Sequence, residues 1–166
     1  MLESASGIAS GTRALAVYEE RWAQPTGPLC VYLHAVHDPG NVGTILRSAE
    51  AFGGSCVLIG PGTADPFGPK AVRASMGSVF GVPLARDGEL PGLKVALVPG
   101  RGVPVRALEP AGEVTLMVGG ERDGLPEDVI RAADEVAHIP IQSDSLNAAM
   151  AATVAMYELG HRISGP

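Results

Sequence analysis

Aromatic side chains are scarce in this 166-residue chain, at 4% of positions, with three Phe, three Tyr and one Trp. A core must therefore come from aliphatic and small residues, and hydrophobic side chains do make up 46% of the sequence. Only 18% of residues carry charge, which excludes a chain held open by self-repulsion and predicts a packed globular body. No apolar run approaches the ~18 residues that span a membrane, so no membrane partner is expected. The opening Met1-Leu2-Glu3-Ser4 lacks a basic stretch followed by an apolar one, so no secretory leader is expected and a cytoplasmic location is. Cysteine is nearly absent as well. Cys30 and Cys56 each sit inside an apolar, strand-like run, which reads as two buried thiols and not as a disulfide or a metal site.

The charge that is present has the wrong sign for holding nucleic acid by bulk attraction, at net −6. It is unevenly spread. Residues 1–110 hold nine basic and nine acidic side chains, whereas residues 111–166 hold three and nine. Arg47, Lys70, Arg73, Arg86, Arg101 and Arg106 all fall in the balanced part, so a local basic face is compatible with the sequence. Composition alone still disfavours nucleic acid as a partner.

Residues 1–27 read as a flexible N-terminal extension or linker remnant, and 28–166 as one domain. Residues 29–36 form a continuous apolar run, the pattern of a strand covered on both faces. After the turn Asp38-Pro39-Gly40, the residues Val42, Ile45, Leu46, Ala49 and Phe52 recur at helical spacing until Gly53-Gly54. Strands are predicted at 56–59, 81–85, 93–98, 114–118 and 135–141. Helices are predicted over 69–79, from Pro126, and over about 145 to 162. In the last helix Leu146, Ala149, Met150, Thr153, Val154 and Tyr157 are expected to share a face. This alternation predicts an α/β domain with a mostly parallel sheet and helices on both faces. In such sheets ligands bind beyond the carboxyl ends of the strands.

Three loops after strands stand out there. In the first, DPGNVGTILR at 38–47, Asn41 reads as a helix N-cap and Arg47 as a solvated helix residue. In the second, GGERDGLP at 119–126, three glycines surround an acid and let backbone approach a ligand. Its spacing is neither a dinucleotide fingerprint nor a Walker loop. In the third, IPIQSDSLNAA at 139–149, Ser143, Asp144 or Ser145 can cap the final helix, while Asn147 is a poor helix former in the first turn. His34 and His37 read as structural histidines.

Taken in order, these segments resemble the three motifs of the SpoU (TrmH-like) family of RNA 2′-O-ribose methyltransferases, in the knotted SPOUT superfamily. The stretch KAVRASMGSVFGVPL at 70–84 also looks like the family's segment between motifs, so the resemblance runs from about Leu29 to Arg162. It implies a C-terminal trefoil knot over about residues 95–160. It also implies S-adenosylmethionine as cofactor, bound by Val98, Pro99, Gly100, Gly119, Ile139, Ile141 and Leu146. Arg47 resembles the family's catalytic arginine, and Asn41, Glu121, Ser145 and Asn147 its site-arranging polar residues.

The implied partner is structured RNA, with ribosomal RNA favoured over transfer RNA by the ASMGSVFGVPL stretch. The implied assembly is a homodimer joined through the last helix and the first-motif helix. Arginine is a poor base, so two roles stand open for Arg47: accepting the 2′-hydroxyl proton, or pinning a phosphate while polarising the hydroxyl. The sequence departs from the family at Ala148-Ala149, where Val-Ser is common, and at the bulkier Arg122 and Asp123. The alternatives are a transfer-RNA methyltransferase and a non-catalytic RNA- or ribosome-binding homologue.

Overall fold

A computed structural model describes residues 17–143 and 145–163. Residues 1–16 of the extension expected over 1–27 and the cap candidate Asp144 lie outside the described residues. Strand β1 (Leu29–His34) is the apolar run read from the sequence, and it is buried on both sides. Leu29, Val31 and Leu33 point into the main core, while Cys30 and Tyr32 face a smaller cluster on the opposite side. The other strands are β2 (Cys56–Ile59), β3 (Leu84–Ala85), β4 (Leu93–Leu97), β5 (Val103–Pro104), β6 (Val114–Gly119) and β7 (Glu135–His138). They form one seven-stranded sheet in the order β3-β2-β1-β6-β4-β7-β5. Every pairing is parallel, as the apolar runs predict.

Helices cover both faces. On one lie α1 (Pro39–Ala51), α2 (Pro69–Ser75) and α4 (Ala148–Ile163); on the other lies the short α3 (Glu127–Arg131). Helix α1 opens with proline in its first turn, and its N-cap is Asp38, whose Oδ1 accepts from Gly40 N–H at 2.8 Å. The cap is therefore not Asn41, whose side chain is left free for other partners. Helices α1 and α2 cross closely because position 43 carries no side chain. A Cβ there would stand 2.3 Å from Ala71 O and 2.7 Å from Ala74 Cβ. Helices α1 and α4 are joined by a partly buried hydroxyl pair: Thr153 donates to Ala149 O at 2.7 Å, so Ser48 donates to Thr153 Oγ1 at 2.6 Å.

Several boundaries differ from the sequence pattern for local reasons. The helix expected over 69–79 ends at Ser75, because Met76 and Gly77 adopt positive φ of 52° and 101°. Only a 3₁₀ turn follows at Ser78–Phe80. The strand expected over 135–141 stops at His138, before Pro140, and the last helix begins at Ala148. The expected face of α4 is divided. Ala149 turns inward against α1, while Met150, Val154 and Tyr157 stay exposed at 62%, 38% and 57%. The two cysteines face each other across β1 and β2, buried and without a disulfide, and hydrogen bonding with Cys56, followed by burial, pushes the Cys30 thiol up so that it stays protonated. Trp22 packs on the core from the irregular segment before β1, with the Arg86 guanidinium 3.9 Å above its ring.

The helix crossing at Gly43 has a measurable cost. Gly43→Ala is expected to destabilise by about 1–3 kcal/mol, since Ala71 O belongs to backbone that cannot swing away. Thermal melting checks this; an unchanged midpoint contradicts the close crossing.

Candidate functional site

The site sits where the parallel sheet directs it, beyond the carboxyl ends of β1, β4, β6 and β7. Register sets it up. His34 ends β1 directly beside Gly119, the last residue of β6, so the loops leaving these strands start side by side. The β1 exit turns sharply at Ala35, a non-glycine residue at φ 54° held by its N–H on Pro61 O at 2.8 Å. Its carbonyl presses so closely on Gly120 that a Cβ there would lie 1.9 Å away. Only glycine fits. Gly119 is equally confined, since its Cβ would stand 2.2 Å from the Gly124 carbonyl carbon.

The spacing Gly-Gly-x-x-x-Gly thereby gains a structural reason. Gly120 and Gly124 close the loop on itself through a 3.1 Å backbone bond, and Gly124 takes φ 66° to do so. Glu121, Arg122 and Asp123 are left exposed at the loop tip. Asn41, freed from capping, donates through Nδ2 to Glu121 Oε1. Asn147 donates in turn through Nδ2 to Asn41 Oδ1 at 3.1 Å. Its other side-chain atom explains its place in the sequence: Oδ1 accepts from Ala149 N–H at 2.9 Å and Met150 N–H at 3.2 Å. Asn147 is therefore the N-cap of α4. The cap is not Ser143 or Ser145; the Ser143 hydroxyl donates only to Ser145 O, at 3.4 Å.

Beside this chain of side chains opens a cavity of about 600 Å³. Val98, Pro99, Gly119, Ile139, Ile141 and Leu146 line it, together with Glu121 and Ser145. The sequence reading thus named residues that fold to one place. It also named four that do not line the cavity: Asn41 and Asn147, which stand beside it through Glu121; Gly100, exposed in the turn after β4; and Arg47, exposed on α1. Arg47 lies six residues beyond Asn41 on the helix, so the two point in different directions. The wall residues Leu97, Val118 and Ile130 were not anticipated, nor were Arg101 and Glu127. The rule that ligands gather after parallel strands could have found Arg101, which follows β4 by four residues.

Charge around the site is mostly exposed. Hydrogen bonding to Lys70 Nζ at 2.6 Å, and then to Gly40 N–H, holds the Asp38 carboxyl below its usual value. The Arg101 guanidinium does the same for Glu127. Burial raises the Tyr32 phenol, with Asp128 adding to it, and the Tyr32 hydroxyl shares a 3.0 Å hydrogen bond with His34 Nδ1. His34 is thereby satisfied, as a structural histidine. No group of three or more His, Cys, Asp or Glu among the described residues is arranged to hold a metal.

The 23S rRNA (guanosine(2553)-2′-O)-methyltransferase RlmP of Bacillus subtilis is 35% identical over 153 residues, covering 85% of this chain and 60% of its own length. A 23S rRNA (uridine(2479)-2′-O)-methyltransferase of Streptomyces viridochromogenes is 35% identical over 146 residues, covering 76% of this chain and 50% of its own. Among solved structures, an AdoMet-bound rRNA methyltransferase from Sinorhizobium meliloti superposes with a TM-score of 0.79 at 36% identity, over 85% of this chain and 61% of that one. The chain thus spans about half to three-fifths of the length of these relatives. The profile of the SpoU rRNA Methylase family matches residues 28–157, a span holding the sheet, the glycine-closed loop and most of α4, and the chain belongs to that family.

Proposed function

We propose that this chain is an S-adenosylmethionine-dependent RNA methyltransferase that methylates a ribose 2′-hydroxyl of ribosomal RNA. The observation that carries the proposal is the convergence of Asn41, Glu121 and Asn147, from three segments distant in sequence, beside one cavity lined by both aliphatic and charged residues. The two relatives named above differ in base, a guanosine and a uridine, and share the 2′-oxygen. The ribose hydroxyl is accordingly the group the proposal assigns. A ribosomal RNA substrate implies a cytoplasmic enzyme.

The cavity fits the cofactor in size and character. Its volume of about 600 Å³ lies inside the roughly 300–1,000 Å³ typical of small-molecule sites. Gly119 and Gly120 leave backbone bare along a wall otherwise rich in aliphatic side chains. Val98, Pro99, Gly119, Ile139, Ile141 and Leu146 would hold the cofactor, with Gly100 shaping the turn beside them. When bound, S-adenosylmethionine supplies a methyl group activated on sulfur. This chain's own residues then have to place and prepare the hydroxyl. Asn147 fixes Asn41, and Asn41 fixes Glu121, so each polar group meets the substrate already oriented. Ser145 stands in the same wall as a further hydroxyl partner.

Arg47 carries the last role, accepting the 2′-hydroxyl proton or pinning a neighbouring phosphate while polarising that hydroxyl. It stands on the open side of α1, next to α4, whose Met150, Val154 and Tyr157 form an exposed apolar stripe at i, i+4 and i+7. Two copies joined through these helices would cover the stripe and carry each Arg47 to the shared face. The homodimer is therefore part of the proposal, and so is the knot over about residues 95–160. Support for the knot comes from the late strands: β6 lies between β1 and β4, and β7 between β4 and β5.

Purified protein incubated with methyl-labelled cofactor and ribosomal RNA is expected to transfer label. Protein that binds cofactor yet labels no RNA would contradict the proposal. In the same assay Arg47→Ala is expected to lower transfer at least about 100-fold, with cofactor affinity by calorimetry unchanged. Val154→Glu is expected to sediment as a monomer that binds cofactor and fails to transfer; a fully active monomer would rule out the shared face.

The two jobs of Asn147 can be separated. Asn147→Asp keeps the acceptor that caps α4 and loses the donor to Asn41, so melting should hold while transfer falls at least about tenfold. Asn147→Ala should lower both, with a loss of about 1 kcal/mol in stability. Equal transfer by the Asp variant and the parent would show that the contact to Asn41 is unimportant.

A further inference from the structure

One ion pair in the cavity wall has no part in the arrangement described above. Arg101 leaves the turn after β4, Glu127 opens α3, and both line the cavity. Their contact is two-pronged, with Nη1 to Oε2 at 3.0 Å and Nη2 to Oε1 at 3.3 Å. This planar fork is the geometry in which guanidinium and carboxylate bind most specifically. Yet the two side chains are 50% and 58% exposed, and a pair so open to water adds little to stability.

The turn does not need the pair to keep its shape. Arg101 N–H donates to Val98 O at 3.3 Å, and Arg101 O accepts from His138 Nδ1 at 3.2 Å. The side chain is free to change partners while the backbone stays fixed. Of the other charged groups in the wall, Glu121 is committed to Asn41. Arg122 and Asp123 are neighbours on one loop tip, and neither forms an ion pair among the described residues.

We infer that Arg101 and Glu127 recognise the amino-acid end of the cofactor, the guanidinium taking its carboxylate and the Glu127 carboxylate its ammonium. The inference rests on reading the cavity as the S-adenosylmethionine site. A zwitterion is the ligand class that this pair fits. Before binding, each charge neutralises the other; after binding, each is neutralised by the ligand, and neither is ever left alone. A ligand bearing one of the two charges would strand its counterpart. A ligand bearing neither would leave the pair closed.

Calorimetry with three ligands tests this: S-adenosylmethionine, its decarboxylated analogue, and 5′-methylthioadenosine, which lacks the amino-acid end. Arg101→Ala and Glu127→Gln should each weaken S-adenosylmethionine about tenfold and leave methylthioadenosine unchanged. The decarboxylated analogue should be weakened by Glu127→Gln but not by Arg101→Ala, which removes the charge that this ligand would strand, and Arg101→Lys should recover part of the affinity lost for S-adenosylmethionine. Equal loss for S-adenosylmethionine and methylthioadenosine would show a purely structural clasp and overturn the inference, as would no loss for either. If the parent protein binds neither ligand, the reading of the cavity itself falls, and this inference with it.

Discussion

Strand β6 lies beside β1 in register, His34 against Gly119, and most of the site follows from that pairing. Two loops that start 85 residues apart in sequence, after His34 and Gly119, must leave the sheet from adjacent points. They can do so only because Gly120 offers no side chain to the Ala35 carbonyl. With that contact made, Asn41 and Glu121 come within hydrogen-bonding reach, and the third loop arrives through the cap of α4. The pairing is wholly non-local, so it rests on the buried apolar strands and not on any local preference.

The polar groups of the site contribute placement more than stability. Glu121, Ser145 and Asn147 are exposed, and Asn41 is only partly covered. Hydrogen bonds between such groups compete with water and add little to folding. Under the proposed activity their worth lies in orientation before the substrate arrives. The core behaves oppositely. Its close crossings at Gly43, Gly119 and Gly120 leave no room for even a methyl group, so small changes there are felt at once.

Much of the fold was legible in the sequence because its determinants are local. The apolar run at 29–34, the helix ending before Gly53-Gly54, and the strand at 56–59 stand close to where the pattern put them. What escaped the pattern depends on single backbone angles or on tertiary contact. Met76 in the left-handed region ended a helix that its residue types would continue. Asp38 took the cap that Asn41 also suits, and Asn147 took one assigned to the serines before it. The side-chain choice was made by what lies across the cavity, which spacing does not show. The two-residue strand β5 has too little pattern to be seen at all. Arg47 could be singled out by its motif, but nothing in one chain's spacing tells which cavity it serves.

The proposed activity places the methyl group on a ribose 2′-oxygen. Ribosomal RNA labelled by the purified protein can be digested completely with alkali, which needs a free 2′-hydroxyl at each cleaved linkage. Methylation of a ribose 2′-oxygen predicts that the label is recovered in an alkali-stable dinucleotide. Recovery of the label in mononucleotides would place the methyl on a base and contradict the account.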